Sequence, residues 1–372
     1  MKWTARGLAL LALAVGGWAA LQVRAGRLAD RFFDGDPAVV LPLADAVAAA
    51  VAEGTDPARF HTGSDRFDGE WALVTCQMAL IGLAQVADAH PERRSAYAGA
   101  AAGCVDYLLD PAARAFGTDA WGEDGLSAAA LASDHGHAYL GWLGLGLRAG
   151  LRLVTGEVAA RARPVADAVA DALARRMAAL PVAAFETYPG ETYPPDLALV
   201  AAAVAESHRH DAAVAAFAAK HRAAAVDPAT GLLVQALDPR TGAPADAVRG
   251  SAPPWPQPPG PTPIARSPPT SPRRRAARCG RAWPAAGACA RCSGAPGRMD
   301  VDSGPVLFGL GVSASGFGLA DARLLGDRDL HRSLFRSAHA AGVPVRGWFW
   351  TGGGLGNALL LAMLTGGDAW GR

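Results

Sequence analysis

Apolar side chains recur at spacings of three and four residues along most of the chain, which is the pattern of amphipathic helices. Alternating apolar and polar positions, which are typical of strands, are scarce. The spacing therefore predicts an all-α protein with ten helices. They span Ala38–Ala52, Glu70–Ala89, Arg94–Leu109, Ser127–Val154, Glu157–Leu180, Pro194–His208, His210–Ala225, Ser303–Leu325, Asp327–Ala341 and Leu355–Thr365.

Two of these helices end on the same signal, which indicates an internal repeat. One stops at Asp110-Pro111 and another at Asp227-Pro228, and a glycine follows each stop within a few residues. Proline cannot continue a helix, and glycine permits a tight reversal. Repeated helical hairpins predict an α/α toroid of the (α/α)6 type, with site loops gathered at one end of the ring.

Residues 251–298 interrupt this pattern. They hold twelve of the 27 prolines, three of the five cysteines and eight arginines, and they contain no Asp, Glu, Leu or Val. We expect disorder, because such a composition cannot bury a core. Forty-eight residues is about the length of the sixth hairpin, so two explanations stay open: an out-of-register reading of GC-rich coding DNA, or a genuine insertion. The toroid would then comprise residues 26–250 and 299–372.

The N-terminus resembles an export signal. Lys2 and Arg6 precede the apolar run Gly7–Val23, and Arg24 follows it. Residues 1–25 are predicted to be a signal peptide or a membrane anchor, the alternative being a buried helix, so the protein is expected to be exported, either periplasmic or extracellular. The formal charge of +1 argues against a nucleic-acid partner. Cys76 and Cys104 could form a disulfide in that compartment or remain buried thiols.

Acids and aromatics cluster on two predicted loops. The stretch "ETYPGETYPPD" repeats the unit E-T-Y-P, and its prolines stiffen the loop, as catalysis requires. Its candidate catalytic residues are Glu186, Tyr188, Glu191, Tyr193 and Asp196. The stretch "DAWGEDG" offers an aromatic face beside acids, an arrangement that can grip a ring while protonating it. Its candidates are Asp119, Trp121, Glu123 and Asp124, of which Asp124 is the catalytic one.

Four further side chains complete the predicted site. Asp65 precedes an apolar helix, and its neighbours Asp68 and Glu70 read as helix-capping residues. His137 could act as an acid or base near neutral pH, and Asp302 opens a later helix. Trp348 belongs to an aromatic cluster that could line a pocket. We expect no metal and no cofactor, because the chain has no Walker loop, H-E-x-x-H motif, calcium loop or dinucleotide fingerprint.

The motif "WGEDG" (Trp121–Gly125) and the helix end "LVTG" (Leu153–Gly156) resemble the linalool dehydratase/isomerase-type proteins over roughly residues 60–250. The resemblance implies an exported α/α-barrel with an aromatic-walled, acid-lined cavity. In that family Tyr and Asp residues assist the acid–base dehydration of a terpene alcohol, a reaction that the residues of this chain do not by themselves support. That family's cysteine loop corresponds to Glu186–Asp196, which contains no cysteine. The position of its catalytic histidine falls near Trp142, so neither role is transferred.

The loop acids and tyrosines predict acid–base chemistry, and the resemblance implies a small alcohol-like or terpene-like substrate for it. In this reaction the loop carboxylates would act as acid or base, the tyrosines would orient or protonate the substrate, and Trp121 would stack on it. One alternative is a carbohydrate-active toroid that uses Asp119, Glu123 or Asp124 together with Asp196 on a glycan. Another is a binding protein without turnover. The N-terminal segment adds a membrane partner if it is not cleaved.

Overall fold

The computed structural model describes residues 2–182, 184–227, 233–245, 249–250, 306–307, 310–345 and 347–366. Backbone alone is described for residues 2–6, 11, 249–250, 306–307 and 310–315. The segment 251–298 and Asp302 lie outside the described residues, so the predictions made for them are not addressed further by the structure.

The described chain is mostly helical, which confirms the all-α class. The helices are α1 Lys2–Phe33, α2 Pro37–Ala52, α3 Asp65–Ala89, α4 Arg94–Leu109, α5 Ala115–Trp121, α6 Ala128–Ala132, α7 Leu140–Gly150, α8 Gly156–Ala179, α9 Pro194–Ala205, α10 Asp211–Ala225, α11 Val312–Leu324, α12 Arg328–Gly342 and α13 Gly353–Thr365. Short antiparallel ladders pair β1 Leu233–Val234 with β2 Arg249–Gly250, β3 Val306–Leu307 with β4 Leu310–Gly311, and β5 Pro344–Val345 with β6 Trp348–Phe349.

Five helices run parallel to one another in the order α9, α7, α3, α13, α11. Residue numbers rise together across every contact, and glycines allow several of these close approaches. The facing pairs are Gly141 with Val200, Gly144 with Ala203, Gly146 with Gln77, Gly150 with Leu80, Gly354 with Thr75, Gly82 with Leu361, and Gly316 with Leu359. Helices α2, α4, α8 and α10 form a second layer behind this arc.

Because the inner helices are parallel, α3, α7, α9 and α13 all begin at the same end of the arc, which we call the N-terminal rim. The loops that precede these helices therefore meet there. The opposite end, where α11 and α13 finish, is the C-terminal rim. Arg323 marks it by donating hydrogen bonds to the carbonyls of Phe32 and Leu364, both at 2.6 Å.

Two described helices are long and apolar enough to cross a membrane. Within the most apolar 18 residues of each, 89% of α3 is buried in the protein and only 6% of the Gly7–Phe33 part of α1. Helix α3 is therefore the central core helix, since apolar side chains cover its whole circumference. The apolar half of α1 projects from the fold.

The prediction of one helix over Ser127–Val154 was wrong. The chain breaks between α6 and α7 because Gly136 (φ +74°) and His137 (φ +55°) both adopt left-handed backbone conformations. Helix α3 also begins at Asp65, five residues earlier than expected. Asp119 and Trp121 lie on the short helix α5 and not on a loop.

Candidate active site

The loop 186–196 is a short reversal that precedes α9. Glu191 N–H donates to the Tyr188 carbonyl at 2.9 Å, and Thr187 N–H donates to the Glu191 carbonyl at 2.9 Å. Gly190 takes a φ of +80°, which the tight turn requires, and its N–H donates to Glu186 Oε1 at 2.8 Å. The two E-T-Y-P units therefore face each other across the turn.

Asp196 holds this loop to the inner layer. Its side chain is only 8% exposed, and both oxygens are satisfied. Trp142 Nε1–H donates to Oδ1 at 3.0 Å, and the Thr187 hydroxyl donates to Oδ2 at 2.8 Å. Because Trp142 is on α7 and Asp196 is on α9, this carboxylate fixes the loop between two inner helices.

A buried phenol meets a carboxylate at the rim. The Tyr188 hydroxyl donates to Glu70 Oε2 at 2.7 Å, and Tyr188 is 3% exposed. Burial, followed by the charge of Glu70, raises the pKa of Tyr188 above its ordinary value of 10. Tyr188 is therefore protonated at neutral pH and donates its hydrogen bond to the Glu70 carboxylate.

A second phenol–carboxylate pair lies beside the first. The Tyr193 hydroxyl donates to Glu191 Oε2 at 2.8 Å. The Arg66 guanidinium lies 3.6 Å from Glu191 Oε1 and stacks over the Tyr188 ring with its Cζ 4.7 Å from the centroid. Arg66 thus contacts both pairs.

The segment 119–125 is organised around a buried arginine. Arg114 donates to both oxygens of Asp124, at 2.8 and 2.7 Å, and to the carbonyls at the end of α4. The hydrogen bond from Arg114 is the main reason that the pKa of Asp124 lies below its ordinary value. Arg114 therefore links the C-terminal end of α4 to Asp124, in the turn that follows α5.

Trp121 joins the two loops. Its Nε1–H donates to the Thr187 carbonyl at 3.0 Å, and its ring lies 4.4 Å from that of His137. His137 is buried, and its Nε2 is 3.5 Å from Glu123 Oε1. Burial, then the charge of Arg176, lowers the pKa of His137, while Glu123 opposes that change. At neutral pH His137 is therefore a neutral imidazole.

Two aromatic rings, those of Phe116 and Tyr139, form a wall behind Tyr188. Phe116 lies 5.4 Å from Tyr139 and 6.4 Å from Tyr188, and the Tyr139 and Tyr188 rings stack at 6.5 Å. Gly117 and Gly125 make room for Tyr139, since a Cβ on either would come within 2.5 Å of it. The wall keeps one side of the phenol dry.

An open cavity of about 550 Å³ lies next to these rings and is lined by Phe116, whereas Tyr139 and Tyr188 do not line it. Arg66 and Phe116, which both contact the Tyr188 ring, line it. Asp65 and Asp119 stand at its edge with exposed side chains. The cavity is large enough for a small organic ligand.

The structure gathers most of the predicted residues at the N-terminal rim. Those it brings together are Asp65, Asp119, Trp121, Glu123, Asp124, His137, Glu186, Tyr188, Glu191, Tyr193 and Asp196. Trp348 is on the same rim but in strand β6, where it pairs with Val345 and packs against the core.

Sequence reasoning missed Glu70, Arg66, Trp142 and Thr187. Glu70 was interpreted as a first-turn acid, but α3 begins at Asp65. Glu70 is therefore in the second turn, where a carboxylate neither caps the helix nor interacts strongly with the helix dipole. That position relative to the helix start was the available signal. Among the described residues, no group of three or more His, Cys, Asp or Glu side chains could hold a metal ion. No family model and no curated protein matches the chain.

Proposed function

We propose that the protein is a linalool dehydratase/isomerase-like enzyme that carries out acid–base chemistry on a small hydroxyl-bearing substrate. The observation that carries the proposal is the Tyr188–Glu70 hydrogen bond of 2.7 Å, with the Tyr193–Glu191 pair beside it and a neighbouring open cavity that Arg66 and Phe116 line. A phenol that stays protonated at neutral pH can serve as a general acid, and a nearby ionised carboxylate can serve as the base.

Dehydration of an alcohol needs an acid and a base on the same substrate. In our proposal the Tyr188 O–H turns from Glu70 to the leaving hydroxyl and protonates it, so that it departs as water, and Glu191 removes the proton from the neighbouring carbon. Glu70 holds Tyr188 in place before the reaction through their hydrogen bond, and Arg66, which stacks on the Tyr188 ring, balances the charge of the phenolate that forms. One proton is donated and one is accepted, so the enzyme returns to its starting charge once the two groups exchange it with water.

The proposed architecture is an (α/α)6-type toroid with one helical hairpin interrupted. Five parallel inner helices in the order α9, α7, α3, α13, α11 support it, because one more inner helix between α11 and α9 would complete six. The chain segment between α10 and α11 is the place for that hairpin, and it contains residues 251–298, whose composition does not suit a packed helix pair.

A carbohydrate-active enzyme is the second candidate. The open shape of the cavity and the exposed carboxylates of Asp65 and Asp119 favour it, because sugar hydroxyls are recognised by such acids. On this alternative Phe116 provides a face for the sugar ring.

We also propose that the protein is exported and stays anchored by α1. The helix runs unbroken from Lys2 to Phe33, and Ala25, Ala29 and Phe32 are buried in the fold. Gly26 lies directly under the Arg336 side chain, where a Cβ would meet Nη2 at 2.7 Å. Cleavage before Gly26 would cut a packed helix, so anchoring is favoured over removal of a signal peptide.

The test is the activity of Tyr188→Phe and Glu70→Gln against terpene alcohols such as linalool and against polysaccharides. Each variant is expected to lose about 10²- to 10⁴-fold in kcat, the range for removal of a general acid or base. The matched control is Tyr97→Phe, because Tyr97 is a buried phenol that donates to Asp45 at 3.1 Å far from the rim. Full activity in both site variants would exclude the proposed site, and the substrate turned over decides between the two candidates.

A further inference from the structure

The direction of α1 relative to the fold fixes which end of the protein faces a membrane. Helix α1 packs against α12, and residue numbers run in opposite directions across the contact. Phe33 contacts His331, Phe32 contacts Phe335, and Gly26 contacts Arg336. The two helices are therefore antiparallel, and the N-terminal half of α1 leaves the fold beside the end of α12.

The end of α12 belongs to the N-terminal rim. Helix α12 finishes at Gly342, a short hairpin follows, and α13 begins at Gly353. Helix α13 is parallel to α3, with Gly354 beside Thr75, which lies just over one turn beyond Glu70. The apolar half of α1 thus projects beyond the same rim at which Glu70 and Tyr188 meet.

The projecting part of α1 has the dimensions of an anchor. Residues 7–23 would measure about 25 Å at a helical rise of ~1.5 Å per residue, close to the hydrocarbon thickness of about 30 Å. Leu8, Leu13 and Trp18 are 67%, 73% and 52% exposed. Burial resumes at Ala25, so the bilayer surface would lie almost directly against the rim.

A second apolar feature on this rim is independent of α1. The connection between α12 and α13 exposes Val343, Val345 and Trp350, the last at 73%. Tryptophan is enriched where proteins meet the membrane interface. The C-terminal rim also exposes two leucines, Leu324 and Leu325, but α1 does not leave the fold there.

From this geometry we infer that the candidate site opens toward the bilayer in which α1 is anchored, and that its substrate is a membrane-borne amphiphile with a hydroxyl head group. The substrate class rests on the proposed function of the site, whereas the orientation does not. The cavity beside Tyr188 would receive the head group at the interface while the apolar part remains in contact with lipid. The exposed hairpin residues Val345 and Trp350 would hold the mouth against the surface.

The orientation is tested with the full-length protein in phosphatidylcholine vesicles that contain a diazirine-bearing phosphatidylcholine. After irradiation, cross-linked peptides are mapped by mass spectrometry. We expect cross-links in α1 and in residues 343–350, and few at Leu324 and Leu325. Val345 and Leu325 are both 50% exposed, so they form a matched pair. Val345→Asp should lower hairpin cross-linking more than five-fold, whereas Leu325→Asp should leave it unchanged. Equal cross-linking at both rims, or none at the hairpin of a folded protein, would overturn the orientation.

The substrate class is tested in the same vesicles with a long-chain alcohol that carries a diazirine. Labelling is expected in the peptides 57–70 and 112–121, which line the cavity. Absence of label there contradicts a lipid-borne substrate. Neither cross-linking measurement depends on turnover. A fully active Tyr188→Phe variant would therefore exclude the catalytic proposal without affecting the cross-linking results. Likewise, a negative cross-linking result would leave the catalytic proposal untouched.

Discussion

The two acid-bearing segments of the N-terminal rim contact each other through Trp121 and the Thr187 carbonyl, yet their carboxylates are used differently. In the segment 119–125, Asp124 is bound on both oxygens by the buried Arg114. In the loop 186–196, Glu191 faces a phenol and an exposed guanidinium. The comparison teaches that the number of acids does not identify the reactive region. Partner and burial decide whether a carboxylate stabilises the fold or remains available for chemistry.

The strongest way to sharpen this comparison is Arg114→Ala. It leaves Asp124 without its guanidinium and the carbonyls of Leu108, Leu109 and Asp110 without a donor. Arg114 is buried but the Asp124 side chain is 29% exposed, so the loss in the free energy of unfolding should lie near the lower end of the about 3–5 kcal/mol that breaking a fully buried ion pair costs. Urea denaturation measures the change.

Arg240→Ala provides the control, because the Arg240 side chain is 88% exposed and lies 3.9 Å from Asp238. Its cost should be below about 0.5 kcal/mol. A similarly small effect for Arg114→Ala would mean that Asp124 is not committed to the fold, and the contrast between the two segments would disappear.

Asp196→Asn tests the one carboxylate of the loop 186–196 that is locked in place. An amide oxygen can still accept from Trp142, but the amide nitrogen must now face the Thr187 hydroxyl. We expect the free energy of unfolding to fall by about 1–3 kcal/mol, the cost of disturbing a buried hydrogen-bonded charge. The same urea experiment on Glu186→Gln serves as comparison, since Glu186 accepts one bond from Gly190 in an exposed turn. A larger loss in the free energy of unfolding for Glu186→Gln than for Asp196→Asn would mean that Glu186, and not Asp196, holds the loop in place.

The sequence predicted the helical class and the two site segments because both depend on local patterns. Spacing of apolar residues identifies helices, and the proline-stiffened repeat of E-T-Y-P marks a rigid loop. The break at Gly136 and His137 was missed because the apolar pattern continues across it, and only the contact of Gly136 with the Trp121 ring explains why the chain turns there.

The partners within the site were not predictable in the same way. Glu70 and Tyr188 are 118 positions apart, and their hydrogen bond follows from the parallel packing of inner helices that bring distant loops to one rim. Likewise, nothing local distinguishes Asp124 from Glu191. The difference between them is the arginine that each meets: Arg114 is buried, whereas Arg66 is exposed. Helices α1 and α3 are both apolar enough to span a membrane, and the basic residues that flank Gly7–Val23 are the local signal that separates the two.

The depressed pKa of Asp124 gives a prediction about acid stability. A carboxyl whose folded pKa lies below its unfolded value of about 3.9 stabilises the protein above that pH, and the contribution is lost as pH falls through the folded pKa. The difference in free energy of unfolding between the parent and Asp124→Asn should therefore be constant from pH 7 to about 5 and shrink below about 4. Urea denaturation across this range measures it. In the Arg114→Ala background the same comparison should show little pH dependence, and a dependence that persists there would assign the effect to another group.

The smallest effect on stability is expected for Glu191→Gln, because a carboxylate that is available for chemistry should contribute little to the fold. Arg66 and Glu191 are 40% and 42% exposed and 3.6 Å apart, so water screens their attraction. A glutamine oxygen can still accept the Tyr193 hydroxyl. The free energy of unfolding should therefore change by less than about 0.5 kcal/mol, while the ability to take a proton is lost completely. If Glu191→Gln unfolds as readily as Arg114→Ala, then Glu191, like Asp124, stabilises the fold, and its role as the catalytic base is excluded.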